Sequence, residues 1–170
     1  MNIWNEFVYH YYEKRYGPLA TLSSLPDEQD IKLNRLQIMK MSYKQYRLAR
    51  KMIEGLLLEQ FTAKGGKAKD SNPLYFTIKE QAIIKNWYEE IDYIMIPLKE
   101  LPKEMISFTY GDSFITFLRG DNHPTRRKLF MANEIERVIH NHGFNIEYNN
   151  MPTYIEMQLW DSSVLYKYMA

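Results

Sequence analysis

Groups that could bind a divalent metal ion are few in this sequence. Asp121 and His123 stand two residues apart in a predicted loop, and carboxylates and imidazoles are ligands for several metals. Asp112 and Glu134 lie at the ends of predicted elements, where they could join them. The four residues form no recognised motif, and a turn already accounts for Asp112. Asp121 and His123 are therefore the candidate metal ligands of a metal-dependent hydrolase, the third function that we consider.

Other catalytic chemistry finds little support in the residue types. The chain contains no cysteine, which excludes thiolate metal sites, disulfides and cysteine nucleophiles. His140 and His142 point about 200° away from each other on a predicted helix, so a regular helix cannot present both to one metal ion. Residues 64–73 lack the order of a phosphate-binding P-loop, and no G-x-S-x-G motif is present. The sequence predicts no cofactor and favours a non-enzymatic protein, with enzymatic activity left open.

Basic residues are concentrated in one part of the chain. Residues 32–69 contain ten lysines or arginines and two glutamates, a charge of +8, so the remainder carries −7 in a chain of net charge +1. On one interpretation these residues are solvated or pair with acids inside the fold. On the other, they contact successive phosphates of a nucleic acid. The candidate nucleic-acid-binding residues are Lys40, Lys44, Arg47, Lys51, Lys64, Lys67 and Lys69.

Three of these residues, Lys44, Arg47 and Lys51, belong to the longest helical pattern, which runs from Ser42 to Phe61. Ser42 and Gln45 could form a capping box at its start, or the helix could run unbroken from Asp27. The pattern favours one long helix or two nearly collinear ones. The glycines at 65 and 66 should end it, and Gly55 costs about 1 kcal/mol in its interior. The residues at the spacing of a buried stripe are Tyr46, Ala49, Ile53, Leu56, Leu57 and Gln60.

The predicted elements change from helices to mainly strands at about residue 73. Residues 2–16 have apolar side chains at helical spacing and predict a first helix. After residue 73 the apolar period falls to two, which is typical of strands. The best hairpin pattern is Ile106 to Leu118, with a type II′ turn at Gly111 and Asp112. Further strands are predicted at 74–78, 92–97 (central in the sheet), 128–131, 145–148 and 154–160. Helices are predicted at 79–88 and 132–142, and a short terminal helix or a tail at 162–169.

This order of elements predicts an α+β fold. N-terminal helices, one of them long and amphipathic, would pack on a mainly antiparallel sheet with two further short helices. The 170 residues suit a single domain, with an internal division into a helical part at 1–66 and an α+β part at 74–170 as the alternative. The N-terminus does not resemble a signal peptide, and no run of about 18 apolar residues occurs. We therefore expect a cytoplasmic protein without membrane association.

The C-terminal half resembles a known group of proteins. The segments LYFTIKEQ, WYEE, IMIP and ISFTYGDSFITF, read in this order, are similar to small uncharacterised proteins of Gram-positive bacteria and of their phages and plasmids. The resemblance covers a succession of strand, helix, strand and hairpin patterns. It implies a bacterial or mobile-element setting and brings no defined activity or site residues with it.

The composition favours a protein that binds another protein. The chain has 14 tyrosines and 10 methionines, types that are enriched in interface cores, although an aromatic core would use the same residues. We expect a non-enzymatic binding or regulatory protein that acts through a protein partner, with homo-oligomerisation left open. The alternative is a nucleic-acid-binding accessory protein that uses the helix face at 40–51 and the loop at 64–69. Protein binding predicts an exposed apolar patch, whereas nucleic-acid binding predicts basic residues exposed together and unpaired.

Overall fold

A computed structural model describes residues 1–25, 33–118, 121–148 and 151–169 of the chain. No helix in these ranges is both long and apolar enough to cross a membrane. The strands are β1 (Phe7–Glu13), β2 (Leu74–Ile78), β3 (Ile91–Pro97), β4 (Ile106–Thr109), β5 (Phe130–Met131), β6 (Ile146–Tyr148), β7 (Met151–Thr153) and β8 (Glu156–Leu159). The α-helices are α1 (Asn34–Met39), α2 (Tyr43–Ala63), α3 (Ser113–Leu118) and α4 (Ala132–His142). Shorter 3₁₀ helices span Ile3–Asn5, Ala82–Trp87, Leu98–Glu100, Lys103–Met105 and Ser162–Tyr168.

Six strands form one antiparallel sheet in the order β3-β1-β2-β8-β4-β5, and β6 pairs with β7 separately. The longest pairing joins β1 to β3, from Phe7 opposite Pro97 to Glu13 opposite Ile91. Strand β1 thus lies between two strands that follow α2 in the chain. The expected α+β class is confirmed at this level, because helices pack on an antiparallel sheet.

One face of the sheet holds the main apolar core. Alternate residues of each strand point to this face, as the pleat requires. Helix α4 packs against it through Ala132, Ile135 and Ile139. The buried strand residues of this core include Val8, Leu74, Phe76, Ile78, Ile96, Ile106, Phe108, Met157 and Leu159.

The opposite face of the sheet is polar and also buried. The Trp160 indole donates a hydrogen bond to the Ser107 hydroxyl at 2.9 Å, and that hydroxyl donates to Gln158 Oε1 at 2.8 Å. Such internal partners are needed because water cannot reach these groups. The polar residues that alternate with the core residues include Thr77, Ser107, Thr109, Glu156 and Gln158, all of them buried.

Helix α2 covers the polar face. The predicted capping box is formed, since the amide of Gln45 donates to the Ser42 hydroxyl and Gln45 Oε1 accepts from the Ser42 amide. The helix ends at Ala63, two residues before Gly65, whose φ is +86°. Near its C-terminal end, the Phe61 ring stacks on Trp160 with centroids 5.1 Å apart. The apolar residues that α2 buries are Tyr43, Tyr46, Ile53, Leu57 and Phe61.

The N-terminal segment is a strand where the sequence predicted a helix. Residues 2–16 contain a 3₁₀ turn at Ile3–Asn5 and then β1. Val8 and Tyr11 are buried, but they point to opposite faces of the sheet, and Phe7 is exposed. The run of aromatic and β-branched residues favours a strand, and pairing with both neighbours outweighed the helical spacing.

Of the two arrangements that the sequence favoured, one long helix or two nearly collinear ones, the structure excludes the single helix. The proposed start at Asp27 lies outside the described residues. Within them, α1 ends at Lys40, whose φ of 53° is left-handed, and α2 begins at Tyr43. Residues 34–63 therefore form two helices, not one unbroken helix.

The predicted hairpin from Ile106 to Leu118 is half correct. Its first strand is β4, but residues 113–118 form α3. The Asp112 carboxylate accepts a hydrogen bond from the Phe114 amide at 2.8 Å and so starts a helix, where the sequence suggested a turn. Strand β4 pairs with β5 and β8 instead.

The remaining predictions divide between confirmed and corrected elements. The strand at 74–78 and the helix at 132–142 are confirmed, the latter ending before Gly143. The strand predicted to be central at 92–97 is the edge strand β3, with Tyr93 and Met95 exposed. Residues 79–88 contain only a short 3₁₀ helix, which buries Ile84.

Candidate functional site

A cavity of about 80 Å³ lies beneath the N-terminal half of α2. Its floor is the polar face of the sheet at β1, β2 and β8. Its walls come from α1, α2, residues 16–25 and the 3₁₀ helix Ala82–Trp87. We call this cavity the α2 pocket. The lining side chains that bear on its chemistry are Arg35, Tyr46, Arg50, Glu54, Tyr75, Trp87, Tyr88, Tyr154 and Glu156.

Arg50 and Glu54 enter the pocket because of their positions on α2. The buried residues of this helix recur at i, i+3, i+7, i+10 and i+11 from Tyr43, and Arg50 and Glu54 take two of these positions. An ordinary core stripe has apolar residues there. Neither residue was among those predicted from the sequence to form the buried stripe. The signal available in the sequence was a pair of charged residues, four positions apart, at positions where the helical period calls for apolar side chains.

Arg50 is buried and remains a cation. Its Nε donates to the Tyr46 hydroxyl at 3.1 Å, and its Nη1 donates to the Ser113 hydroxyl at 2.8 Å. Its guanidinium carbon lies 4.7 Å from the centroid of the Tyr75 ring. Burial alone would lower the pKa of Arg50, but Tyr46, Tyr75 and nearby carboxyl groups hold it well above its ordinary value. Its Nη2 forms no hydrogen bond to any residue in the described ranges.

Arg35 supplies a second cation from α1. Its Nη2 donates to Asp112 Oδ2 at 3.1 Å, and its guanidinium carbon lies 4.3 Å from the centroid of the Trp87 ring. Asp112 Oδ2 also accepts a hydrogen bond from the Tyr154 hydroxyl at 3.1 Å. Asp112 thus balances the charge of Arg35 and joins α1 to the loop that precedes α3.

Glu54 has one oxygen engaged and one unused. Its Oε1 accepts hydrogen bonds from the Ser23 hydroxyl at 3.0 Å and the Tyr75 hydroxyl at 2.9 Å. Its Oε2 is buried and has no hydrogen-bond partner among the described residues. Burial raises the pKa of this carboxyl, against the opposing effects of Arg50 and of the two hydroxyl groups. The pocket therefore contains a buried polar atom with spare hydrogen-bonding capacity.

Glu156 is the most perturbed carboxyl group of the pocket. Gln158 Nε2 donates to its Oε1 at 2.9 Å, and the Ser113 hydroxyl, which accepts from Arg50, acts to lower the pKa of Glu156. Burial and the nearby Asp112 raise the pKa of Glu156 to about 7, although Arg50 acts to lower it. This carboxyl therefore changes charge near neutral pH. A perturbed ionisable group in a cleft is a physical indication of a functional site.

His10 also lines the pocket, but its contacts are those of a structural residue. Its two ring nitrogens lie 2.8 Å from the carbonyl oxygen of Tyr75 and 2.7 Å from that of Pro18. Burial lowers its pKa. Its ring thus links the sheet to the loop that forms one wall of the pocket.

The opposite side of α2 exposes large apolar side chains to solvent. Leu48, Met52 and Leu56, spaced by four residues, are 63%, 53% and 42% exposed. Together with Lys44 and Lys51, which are exposed beside them, these residues form what we call the α2 outer face. Leu56 was predicted to face the core. The helix is instead rotated so that Arg50 and Glu54 point inward and Leu56 points to solvent.

The seven candidate nucleic-acid-binding residues lie in different environments. Lys64 pairs with Glu134 and Lys69 with Asp161, each at 2.8 Å. Arg47 is half-buried and donates to a backbone carbonyl of the neighbouring loop at 3.2 Å. Exposed lysines without an ion pair among the described residues are Lys40, Lys44, Lys51 and Lys67.

Asp121 and His123, the candidate metal ligands, both have protein partners. The Asp121 carboxylate bonds to the Arg126 guanidinium at 3.0 and 3.1 Å. The His123 ring lies 2.7 Å from the Thr125 hydroxyl and stacks on Tyr110. Within the described ranges, no group of three or more histidine, aspartate or glutamate side chains could hold a metal ion. Asp121 therefore belongs to an ion pair with Arg126, and His123 belongs to a stack of rings beside it.

Comparisons of the chain with protein-family models, curated proteins and solved structures give no match. The structural indications of function are therefore the two sides of α2. One side closes a polar pocket, and the other presents apolar side chains to solvent.

Proposed function

We propose that this protein is a non-enzymatic, cytoplasmic binding protein that acts through a protein partner docked on the α2 outer face, in a bacterial or mobile-element setting. The supporting observation is the exposure of Leu48, Met52 and Leu56 along one side of a single helix. Apolar surface in contact with water is unfavourable by roughly 25 cal/mol per Å², and a docked partner removes that cost. Exposed apolar side chains arranged in a row are a common feature of docking sites.

The charges beside the row favour an acidic partner. Lys44 and Lys51 border the apolar side chains, and Glu59 is the one acid on this face of α2. A helix with an apolar ridge and carboxylates along its rim would complement both features. Electrostatic attraction would then speed the encounter, while the apolar contacts would supply most of the affinity.

Photo-crosslinking from residue 52 in a Gram-positive bacterial lysate tests this proposal. We expect one protein to be enriched, and its binding, once it is purified, to fall at least about tenfold with Leu48→Asp, because the carboxylate would be buried without a partner. Tyr166→Asp is the matched control, because Tyr166 is 62% exposed on a different element. A purified partner that binds wild type and Leu48→Asp equally would contradict docking on the α2 outer face.

A nucleic-acid partner is the alternative, supported by the four exposed lysines without ion pairs in the described ranges. The two functions differ in their response to salt. Contacts to several phosphates lose orders of magnitude in affinity between about 50 and 200 mM salt. Docking through apolar side chains changes much less, because it does not depend on the release of counterions.

A further inference from the structure

The α2 pocket contains more hydrogen-bond donors than its own acceptors use. A guanidinium group carries five N–H donors. Within the described residues, Arg50 uses two of them and Arg35 uses one. Both guanidinium carbons lie 5.5 Å from the centroid of the Tyr46 ring, so the two groups share one wall of the cavity. Donors that line a pocket in this way are normally satisfied by acceptors on the protein, on water or on a bound molecule.

The geometry of a guanidinium group selects the kind of acceptor. Its planar fork matches the two oxygens of a carboxylate or of a phosphate. Asp112 already balances Arg35, whereas Arg50 forms no ion pair within the described residues. Burial raises the pKa of both Glu54 and Glu156, and neither of these carboxyl groups, both within the described ranges, forms an ion pair with Arg50, so the charge of Arg50 is available to an anion. An oxyanion is therefore the favoured occupant of this end of the pocket.

Glu54 provides the second point of recognition. Its buried Oε2 has no partner among the described residues. A hydroxyl group can donate to this oxygen when the carboxyl is ionised and accept from it when it is protonated. A ligand hydroxyl can therefore hydrogen-bond to Glu54 in either charge state. An ammonium group could bond only to the ionised form, and a second carboxylate only to the protonated form.

The volume limits the size of the ligand. A cavity of about 150 Å³ accommodates benzene. The α2 pocket, at about 80 Å³, has room for a molecule of only a few heavy atoms. Aromatic rings of Tyr46, Tyr75 and Trp87 line its walls and would exclude water around such a molecule.

We propose that the α2 pocket binds a small hydroxycarboxylate, with the carboxylate against Arg50 and Arg35 and the hydroxyl on Glu54. The proposal is independent of the partner on the α2 outer face, because it rests on the buried side of the helix. Binding would satisfy the unused donors of Arg50 and the unused oxygen of Glu54 at the same time.

Calorimetric titration of the full-length protein with glycolate and with acetate is the direct test, because the two probes differ only in the hydroxyl group. We expect glycolate to bind at least about tenfold more tightly, since a site built around a ligand hydroxyl discriminates against the analogue that lacks it. Inorganic phosphate serves as a second oxyanion of similar size. No binding of glycolate at about 10 mM, or equal affinities for glycolate and acetate, would overturn the proposal. Tighter binding of phosphate than of glycolate would also overturn it.

Two variants assign the contacts. Glu54→Met should remove the preference for glycolate over acetate, whereas Glu59→Met, the same change on the exposed side of α2, should keep it. Arg50→Lys keeps a positive charge but loses the fork, so both probes should bind at least about tenfold more weakly. If either pocket variant fails to fold, the Nε–H signal of Arg50 in wild-type NMR spectra decides. A glycolate-dependent shift of that signal supports the assignment, and its absence contradicts it.

Discussion

Arg50 and Glu54 occupy positions on α2 at which an apolar core would have leucine or isoleucine. Burying such groups gives little net stability, because desolvation offsets the gain from pairing, and well-packed apolar residues often serve as well or better. The hydrogen bonds of Arg50 to Tyr46 and Ser113 make its burial tolerable without making it favourable. A charged residue at a core position of this kind is therefore more simply explained by ligand binding than by stability.

The pH dependence of stability should reveal the ionisation of Glu156. Its pKa is about 7 in the folded protein, because of burial and of Asp112, against an ordinary value of 4.5. The folded state thus holds this proton at pH values at which the unfolded chain has released it. The contribution of this group to the free energy of unfolding therefore falls as the pH rises from about 4.5 to 7. Relative to wild type, Glu156→Gln should gain on the order of 2 to 3 kcal/mol between pH 5 and pH 8.

Urea denaturation of both proteins at pH 5, 6.5 and 8 measures this difference. Asp121→Asn is a suitable control, because burial acts to raise the pKa of Asp121, but the His123 amide and Arg126 together lower it below its ordinary value. Its effect relative to wild type should not change between pH 6.5 and 8. A difference between Glu156→Gln and wild type that stays constant from pH 5 to pH 8 would show that Glu156 does not titrate in this range.

At the scale of the element, α2 shows which features of a helix its sequence determines locally. The capping box of Ser42 with Gln45 and the end at Gly65 depend on neighbouring residues; the first was predicted as one of two possible starts, and the second was predicted correctly. The rotation of the helix was not predicted. Leu56 and Leu57 are adjacent, and only packing against Trp160 and the polar sheet face decides which of them is buried.

A substitution at Gly55 tests the stability of α2 without changing its side-chain contacts. No heavy atom lies within 4 Å of the position that a Cβ would take there, and the residue is exposed in the helix interior. Gly55→Ala should therefore raise the free energy of unfolding by about 1 kcal/mol through helix propensity alone. Thermal or urea denaturation of the purified protein measures this. A loss of stability would indicate that the backbone at residue 55 is not helical in solution.

At the scale of the whole molecule, local signals predicted the elements that form from neighbouring residues. The strand at Leu74–Ile78 and the helix at Ala132–His142 needed only their own periodicity and end signals. Strand β1 was missed because its pairing partners lie about 70 to 90 residues further along the chain. The second strand of the predicted hairpin failed for the same reason. The strands that pair with β4 are distant in the sequence, so residues 113–118 are free to form α3.

The α2 pocket was beyond prediction from the sequence for a related reason. Its charged residues come from α1, α2, β1 and β8, and Asp112 precedes α3. No spacing in the sequence relates Arg35 to Asp112 or Arg50 to Glu156. Only the antiparallel sheet, with a buried polar face beneath α2, brings them together.

The charge segregation of the chain is partly neutralised by the fold, and this leads to a prediction about nucleic acids. Lys64 and Lys69 of the basic segment pair with Glu134 and Asp161 of the acidic remainder. Lys44 and Lys51 stay exposed, but they lie beside apolar side chains, so few lysines can contact successive phosphates. We expect binding of short DNA and RNA no tighter than the ordinary non-specific range of about 10⁻⁴ to 10⁻⁶ M.

Fluorescence anisotropy with single- and double-stranded probes, at about 50 and 200 mM salt, measures this affinity. The Lys44→Glu, Lys51→Glu double variant tests the exposed pair, and Lys99→Glu with Lys103→Glu is a control of equal charge change outside the basic segment. Nanomolar binding at about 50 mM salt that is lost only in the first variant would favour the nucleic-acid function over a protein partner. Equal, weak binding by all three proteins would leave the exposed leucines and methionine of α2, and not its lysines, as the feature that a partner recognises.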